Sequence, residues 1–188
     1  FEATDARRAL PCWDEPALKA SFDVQLTVPS ALTALSNMNV IREDSTPDKE
    51  GCKTVVFATS PVMSTYLLAF AVGELDVVEY ADIPTSAVRD FPIPLRGIAT
   101  KGKAHQFDYA LKHTAALLTS LEAYFGIPYP FAKLDIVAVP DFAWGAMENV
   151  GLMTYRESII LLDENPSVSQ QRRLATVHAH EIAHQWLG

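Results

Sequence analysis

The sequence contains only two cysteines among its 188 residues, Cys12 and Cys52. Two cysteines are too few for a disulfide-built scaffold, and their separation does not match the paired spacing of a cysteine zinc site. We therefore interpret both as free thiols. Free thiols are typical of proteins in a reducing compartment, so the sequence predicts a cytoplasmic location.

Basic residues are also scarce, since 15 Lys and Arg stand against 23 Asp and Glu, for a formal net charge of −8. Neither half of the chain carries a basic stripe, so we expect no nucleic-acid partner. No apolar run approaches the ~18 residues that a membrane-spanning helix requires, so we expect no membrane segment in this portion. The acidic balance is compatible with a cationic ligand but does not identify one.

Apolar residues, by contrast, make up 49% of the chain, which is the composition of a folded globular protein. In the first half they alternate with polar residues, the period of a half-buried strand. This pattern predicts strands at residues 22–28, 32–41, 54–59 and 66–78. The polar stretch at residues 42–51 predicts an exposed hairpin loop.

The period changes in the second half. Apolar residues recur every three to four positions over residues 103–125, which predicts an amphipathic helix that ends at Gly126. We predict strands at 134–139, 152–155 and 158–162, a loop at 140–149, and a helix at 167–188 that begins with a capping box of Ser167 and Gln170. The fold class is therefore α+β, with two domains at residues 1–97 and 98–188.

The second helix contains the most informative motif, His180-Glu181-x-x-His184. At about 100° per residue, the two histidines lie about 40° apart on the helix, one turn from each other. Their imidazoles can therefore bind one tetrahedral Zn²⁺, for which histidine nitrogen is a preferred ligand. Glu181 lies beside them, where it can accept a proton from a zinc-activated water as general base.

The other histidines do not extend this metal site. His178 lies about 160° from His180 around the helix, so we expect it to pack in the core or lie on the surface. His105 and His113 fall on the earlier helix, and nothing in the sequence pairs them with a metal.

A second candidate motif, Gly145-Ala146-Met147-Glu148-Asn149, lies in the predicted loop. Gly145 and Ala146 have little or no side chain, so another backbone can approach them closely. Glu148 supplies an anion that can pair with the α-ammonium group of a peptide. From the residues alone, an ordinary exposed loop glutamate remains the alternative.

The two motifs together resemble the zinc-dependent aminopeptidase N / puromycin-sensitive aminopeptidase family of gluzincins. Two further stretches are similar to that family, namely residues 1–16, which begin Phe-Glu-Ala-Thr-Asp-Ala-Arg-Arg, and residues 151–156, Gly-Leu-Met-Thr-Tyr-Arg. The resemblance implies two partial domains: the C-terminal part of an all-β, saddle-like N-terminal domain (residues 1–97), then the first part of a thermolysin-like metallopeptidase catalytic domain (residues 98–188).

The resemblance also implies the chemistry. His180 and His184 would bind one zinc ion, Glu181 would be the general base, and Glu148 would receive the free N-terminus of a peptide substrate. Backbone around Gly145 and Ala146 would line the bound peptide as an added strand. The enzyme that contains this chain would be a zinc metalloaminopeptidase that removes N-terminal residues from peptides.

The family's third zinc ligand is a glutamate some eighteen residues beyond the second histidine, past Gly188. We therefore expect this chain to be a segment of a longer enzyme. We also expect the 188 residues alone to bind zinc weakly and to have negligible peptidase activity. Trp144 and Leu187 differ from the family pattern, which has a small residue and a phenylalanine there.

The sequence is also compatible with two other functions. The chain could be a non-catalytic, β-rich binding module, although the intact Glu181 argues against a dead enzyme. It could instead belong to a zinc endopeptidase or to a relative that hydrolyses a lipid epoxide. Glu148 within its motif favours the aminopeptidase, because only a peptide that presents its N-terminus gains that contact.

Overall fold

The computed structural model describes residues 1–46 and 49–187. The chain divides into two compact units, Phe1–Glu74 and Leu75–Gly188. Helices and sheets are both present, which confirms the α+β fold class. Within the described residues, no helix combines the length and the apolar composition that crossing a membrane requires.

The first unit consists of short strands with one helical turn. Its elements are α1 (Ala6–Ala9), β1 (Gln25–Pro29), β2 (Thr33–Ser36), β3 (Val40–Ser45), β4 (Cys52–Phe57) and β5 (Phe70–Gly73). They form an antiparallel sheet in the order β1-β4-β3 and an antiparallel pair, β2-β5. Alternating residues of β1 and β4 enter a small core with Ala34, at Val28, Val55 and Phe57. Both cysteines are free, as predicted.

Two predicted strands of this unit are divided in the structure. The stretch 32–41 breaks between β2 and β3, where Asn37 donates to the Leu67 carbonyl and accepts from the Ala69 N–H. The stretch 66–78 contains a 3-10 turn, β5 and the first strand of the second unit. β3 also extends into the predicted hairpin loop, of which Pro47 and Asp48 lie outside the described residues.

The second unit has a five-stranded sheet with helices. Its elements are β6 (Leu75–Glu79), β7 (Leu95–Thr100), α2 (Asp108–Phe125), β8 (Leu134–Val139), β9 (Ala146–Met147), β10 (Leu152–Arg156), α3 (Glu157–Ile160) and α4 (Val168–Leu187). The strand order is β6-β7-β8-β10-β9. β8 pairs in parallel with β7 and β10, while the outer strands β6 and β9 are antiparallel to their neighbours.

Helix α2 ends where the sequence predicts, but the first residues of the predicted 103–125 helix form a 3-10 turn, Ala104–Phe107, and α2 begins at Asp108. Helix α4 begins at Val168, directly after the predicted capping residue Ser167. Gly126 adopts the left-handed conformation (φ 68°) that ends α2, and its N–H donates to the Glu122 carbonyl. Before α4, the Ser167 N–H donates to the Gln170 side chain at 2.9 Å, and the Gln170 N–H donates to the Ser167 hydroxyl at 3.3 Å. These reciprocal bonds are the predicted capping box. α4 packs against α2.

The predicted strand at residues 158–162 is wrong, because this stretch contains the short helix α3. Its apolar residues Ile159 and Ile160 are buried, so the apolar run reports burial rather than strand geometry. Glu157 starts the turn and accepts a 2.6 Å hydrogen bond from the Lys103 ammonium.

The division between the two compact units falls before β6, because β6 and β7 belong to the sheet of the second unit. The assignment of residues 1–97 and 98–188 to two family domains concerns homology rather than compactness. It stays a prediction.

A buried ion pair holds the C-terminal end of α2. The Glu122 carboxylate accepts hydrogen bonds of 2.8 Å from Arg89 Nε and from the Tyr129 N–H, and neither charged side chain is exposed to solvent. Burial by itself raises the pKa of this carboxyl. The hydrogen bonds from Arg89, Tyr129 and Ser86, with the charge of Arg89, outweigh burial and hold the pKa below its ordinary value of 4.5.

Glu122→Gln should therefore lower the free energy of unfolding by about 3 kcal/mol at pH 7, because it leaves Arg89 buried without its counter-charge. The native carboxylate stabilises the fold above about pH 4.5 and loses this effect as the pH falls through its lowered pKa. The variant should accordingly show a flatter loss of stability in acid. Urea unfolding between about pH 7 and pH 3 measures both effects. Glu164→Gln, at an exposed position, is the control.

Candidate metal centre and peptide-binding edge

The two predicted zinc ligands meet on one face of α4. His180 is exposed and His184 is partly buried, and their Nε2 atoms lie 3.0 Å apart. Two Zn–N bonds of about 2.05 Å at a tetrahedral angle would place the nitrogens about 3.3 Å apart. The donor pair therefore fits two corners of a zinc site with little movement.

The remaining donors of a tetrahedral site are not supplied by the described part of the chain. No group of three His, Cys, Asp or Glu side chains that could hold a metal occurs in residues 1–46 and 49–187. Nδ1 of His184 is buried, and no hydrogen-bond partner reaches it from these residues. A ligating imidazole usually donates from this second nitrogen, so the atom is available for such a contact.

Glu181 lies between the histidines in sequence and is only 6% exposed. Its neighbour is Tyr155 of β10, whose pKa is raised well above the ordinary value by burial and, secondly, by the negative charge of Glu181. The carboxylate therefore lies close enough to β10 to act on Tyr155, on the helix that carries the two imidazoles.

His178 is fully buried and does not join the pair, so of the two placements expected for it, core and surface, the structure has the core. Its ring lies between α2 and β10, with Nε2 at 2.9 Å from the Thr114 hydroxyl and Nδ1 at 2.8 Å from the Tyr155 hydroxyl. Thr114 donates its single proton to the Ala110 carbonyl, so Nε2–H of His178 must donate to Thr114. Tyr155 then donates to Nδ1. Burial lowers the pKa of His178 to about 3, which keeps the ring neutral.

The second candidate motif forms one edge of the sheet. Ala146 and Met147 make up β9, the outermost strand, which pairs with β10 on one side. The Gly145 carbonyl accepts from the Arg156 N–H at 2.9 Å. The Arg156 guanidinium also donates to the Phe142 and Ala143 carbonyls, which secures the chain before the motif.

Glu148 follows β9 and is partly buried. No side chain in the described ranges forms a hydrogen bond or an ion pair with its carboxylate. Asn149 is buried and donates to the Thr154 hydroxyl at 3.1 Å. The motif therefore presents, next to an edge strand, one carboxylate that no side chain of residues 1–46 or 49–187 pairs with.

The turn after Glu148 is held by residues to which the sequence assigned no role. The Gly151 carbonyl accepts from Lys133 Nζ at 2.7 Å and from the Asp135 N–H at 3.1 Å. The Gly151 N–H donates to Gln185 Oε1 at 3.1 Å, and Gln185 Nε2 donates to the Glu148 carbonyl at 2.9 Å. Burial lowers the pKa of Lys133, and its hydrogen bond to Asp135 opposes that effect.

The signals for these residues are weak in sequence. Gln185 directly follows His184, the second predicted zinc ligand, which places it near the candidate site but does not indicate its partners. Lys133 precedes a buried strand, where a charged residue commonly marks only the strand's end. Their roles become visible once the sheet brings residues 133, 151 and 185 together.

Two family models match the chain. The Peptidase M1 N-terminal domain matches residues 1–67, and the Peptidase family M1 domain matches residues 109–188. The chain belongs to the M1 peptidase family. Its first part is therefore M1 N-terminal domain, and its second is the start of the M1 catalytic domain with the α4 histidines.

Curated relatives agree with this assignment. The chain is 48% identical to Aminopeptidase M1 of Arabidopsis thaliana, 49% to Aminopeptidase M1-B of Oryza sativa subsp. japonica, and 49% to Puromycin-sensitive aminopeptidase of Caenorhabditis elegans. Each match includes the whole chain. The chain spans about a fifth of the length of each relative, namely 20%, 20% and 19%.

The buried contacts of His178 generate a stability prediction for this M1 segment. His178→Phe fills similar space but leaves the Tyr155 and Thr114 hydroxyls without their partner, which should lower the free energy of unfolding by about 2 kcal/mol. Urea unfolding of the two proteins measures the difference. His105→Phe, at an exposed position, should change it by less than about 0.5 kcal/mol. Equal effects of the two substitutions would contradict a buried, hydrogen-bonded His178.

Proposed function

We propose that this M1 chain is the part of a zinc aminopeptidase that contains two zinc ligands, the general base and the anchor for the substrate's N-terminus. The observation that carries the proposal is the convergence of the His180 and His184 Nε2 atoms on a helix beside the Gly145–Asn149 edge. The aminopeptidase names of the relatives support the same activity.

His180 and His184 would hold the zinc ion, which acts as a Lewis acid and increases the acidity of water when bound. Glu181 accepts a proton from the water that attacks the peptide carbonyl, and later donates a proton to the departing amine. Its burial supports this role, because a carboxylate shielded from bulk water interacts strongly with a nearby proton donor.

The Gly145–Asn149 segment would bind the peptide. β9 is an edge strand, so its free side can pair with the extended backbone of a substrate. Met147 is buried and anchors this edge in the core, and Asn149 fixes the following turn through Thr154. The Glu148 carboxylate would pair with the α-ammonium group, so that only a peptide with a free N-terminus gains a charge-assisted contact.

The wider expectations belong to the same proposal. We assign residues 1–97 and 98–188 to the two family domains and place the enzyme in the cytoplasm, on the strength of its two free cysteines. The aminopeptidase is favoured over an endopeptidase, an epoxide hydrolase or a binding module by the names of the relatives and by the Glu148 carboxylate, with which no side chain in the described part of the chain pairs.

Glu181→Gln should lower kcat of the full-length enzyme that contains this chain by at least about 10³-fold, because the amide cannot accept the proton. Zinc content should stay at one ion per enzyme, since Glu181 is not a ligand in this assignment. Kinetics on an aminoacyl-naphthylamide, together with atomic absorption, measure the two quantities. Glu164→Gln serves as the control. Full activity of the Gln variant would remove Glu181 from the base role.

Glu148→Gln should weaken recognition of the substrate's α-ammonium group. We expect kcat/KM for an α-amino substrate to fall by about 10–100-fold, the loss typical of one charge-assisted hydrogen bond. An analogue with a hydroxyl in place of the amine should lose much less, because it carries no charge for Glu148 to meet. Asp141→Asn, in the exposed part of the same loop, is the matched control. An unchanged ratio between the two substrates would exclude the anchor role.

A further inference from the structure

Gln185 connects the zinc helix to the loop that carries Glu148. It directly follows His184 in α4, is 5% exposed, and uses both ends of its amide. Nε2 donates to the main-chain carbonyl of Glu148 at 2.9 Å, and Oε1 accepts from the Gly151 N–H at 3.1 Å. The side chain of Gln185, the residue after the proposed zinc ligand His184, therefore reaches the main chain of the proposed anchor residue Glu148.

The same turn is held from the opposite side by the sheet. Lys133 donates to the Gly151 carbonyl, and Asp135 of β8 binds both the Lys133 ammonium at 2.7 Å and, through its N–H, the same carbonyl. The sheet thus fixes Gly151. Gln185 fixes the separation between this turn and α4, because its two hydrogen bonds are made with main-chain groups of Glu148 and Gly151, three residues apart.

We infer that Gln185 is a positioning residue, which places the Glu148 carboxylate at the correct distance from the His180–His184 pair. The inference rests on the proposed function and deepens it. A substrate bound by its ammonium group at Glu148 must present its first peptide bond at the zinc pair. Small errors in that separation are costly, since a displacement of about 1 Å at a reacting centre can cost about 10²-fold in rate.

The chemistry of the position requires a neutral side chain with one donor and one acceptor at its tip. Glutamate retains the acceptor for Gly151 but loses the donor for the Glu148 carbonyl. Methionine has a similar length and volume but makes neither hydrogen bond. Gln185→Glu therefore removes the donor and adds a buried charge, and Gln185→Met removes both hydrogen bonds, each with little change in side-chain volume.

The test is a double-mutant cycle between positions 185 and 148 in the full-length enzyme, with α-amino and α-hydroxy substrates. Gln185→Met should lower kcat/KM for the α-amino substrate about tenfold, and for the α-hydroxy analogue less than threefold. In the Glu148→Gln background it should add less than a twofold loss. Zinc content should not change, and Gln185→Glu should lose at least as much as Gln185→Met, because its buried carboxylate faces the Glu148 carbonyl oxygen without a donor.

Gln106→Met is the matched control, because it removes the amide of a partly exposed glutamine that donates to Asp163 elsewhere in the same unit. It should leave the substrate ratio unchanged. Equal losses with both substrates, or additive losses in the cycle, would show that Gln185 only stabilises the fold and would overturn the inference. If Gln185→Met does not fold, the same comparisons on Gln185→Glu decide the question.

These outcomes distinguish failure of the proposed aminopeptidase function from failure of the positioning role of Gln185. Wild-type enzyme that shows no preference for the α-amino substrate would overturn the proposed function, and this inference with it. Wild-type enzyme that shows the preference while both Gln185 variants retain it would overturn this inference alone.

Discussion

The rotation of α4 about its own axis is the constraint on which the rest of the site depends. Two histidines one turn apart can meet a single metal only from one face of a helix, and the buried ring of His178 determines which face that is. Thr114 of α2 holds one ring nitrogen and Tyr155 of β10 holds the other. With His178 held in the core, His180 and His184 lie on the accessible side with their Nε2 atoms 3.0 Å apart.

The same sheet brings the proposed peptide-binding edge to the helix. β10 contacts His178 through Tyr155 and pairs with β9, the edge strand that precedes Glu148. The turn at Gly151 is then secured by Lys133 from the sheet side and by Gln185 from α4. The proposed zinc ligands and the proposed anchor are consequently attached to one hydrogen-bonded frame rather than to independent loops. Such preorganisation suits a reaction in which both the α-ammonium group and the scissile peptide bond of the substrate's first residue must be positioned.

Local sequence rules predicted the parts of this arrangement that depend on local chemistry. Gly126 and the Ser167–Gln170 pair end and begin helices because their preferences act within a few residues. The angle between His178 and His180 followed from helix geometry alone. The strand predicted at 158–162 failed because an apolar run records burial without distinguishing a strand from a helical turn. Lys133, Tyr155 and Gln185 could not be assigned, since their partners lie 18, 23 and 34 residues away.

Removal of residues one at a time from a free N-terminus is the activity proposed for the full-length enzyme, and the products of a defined peptide reveal it. Incubation of a ten-residue peptide and its N-acetylated twin with the zinc-loaded enzyme, followed by mass spectrometry over time, gives the order of cleavage. The free peptide should give a ladder that shortens from the N-terminus, and the acetylated one should give no early product. Internal fragments from both peptides at similar rates would contradict the proposed activity.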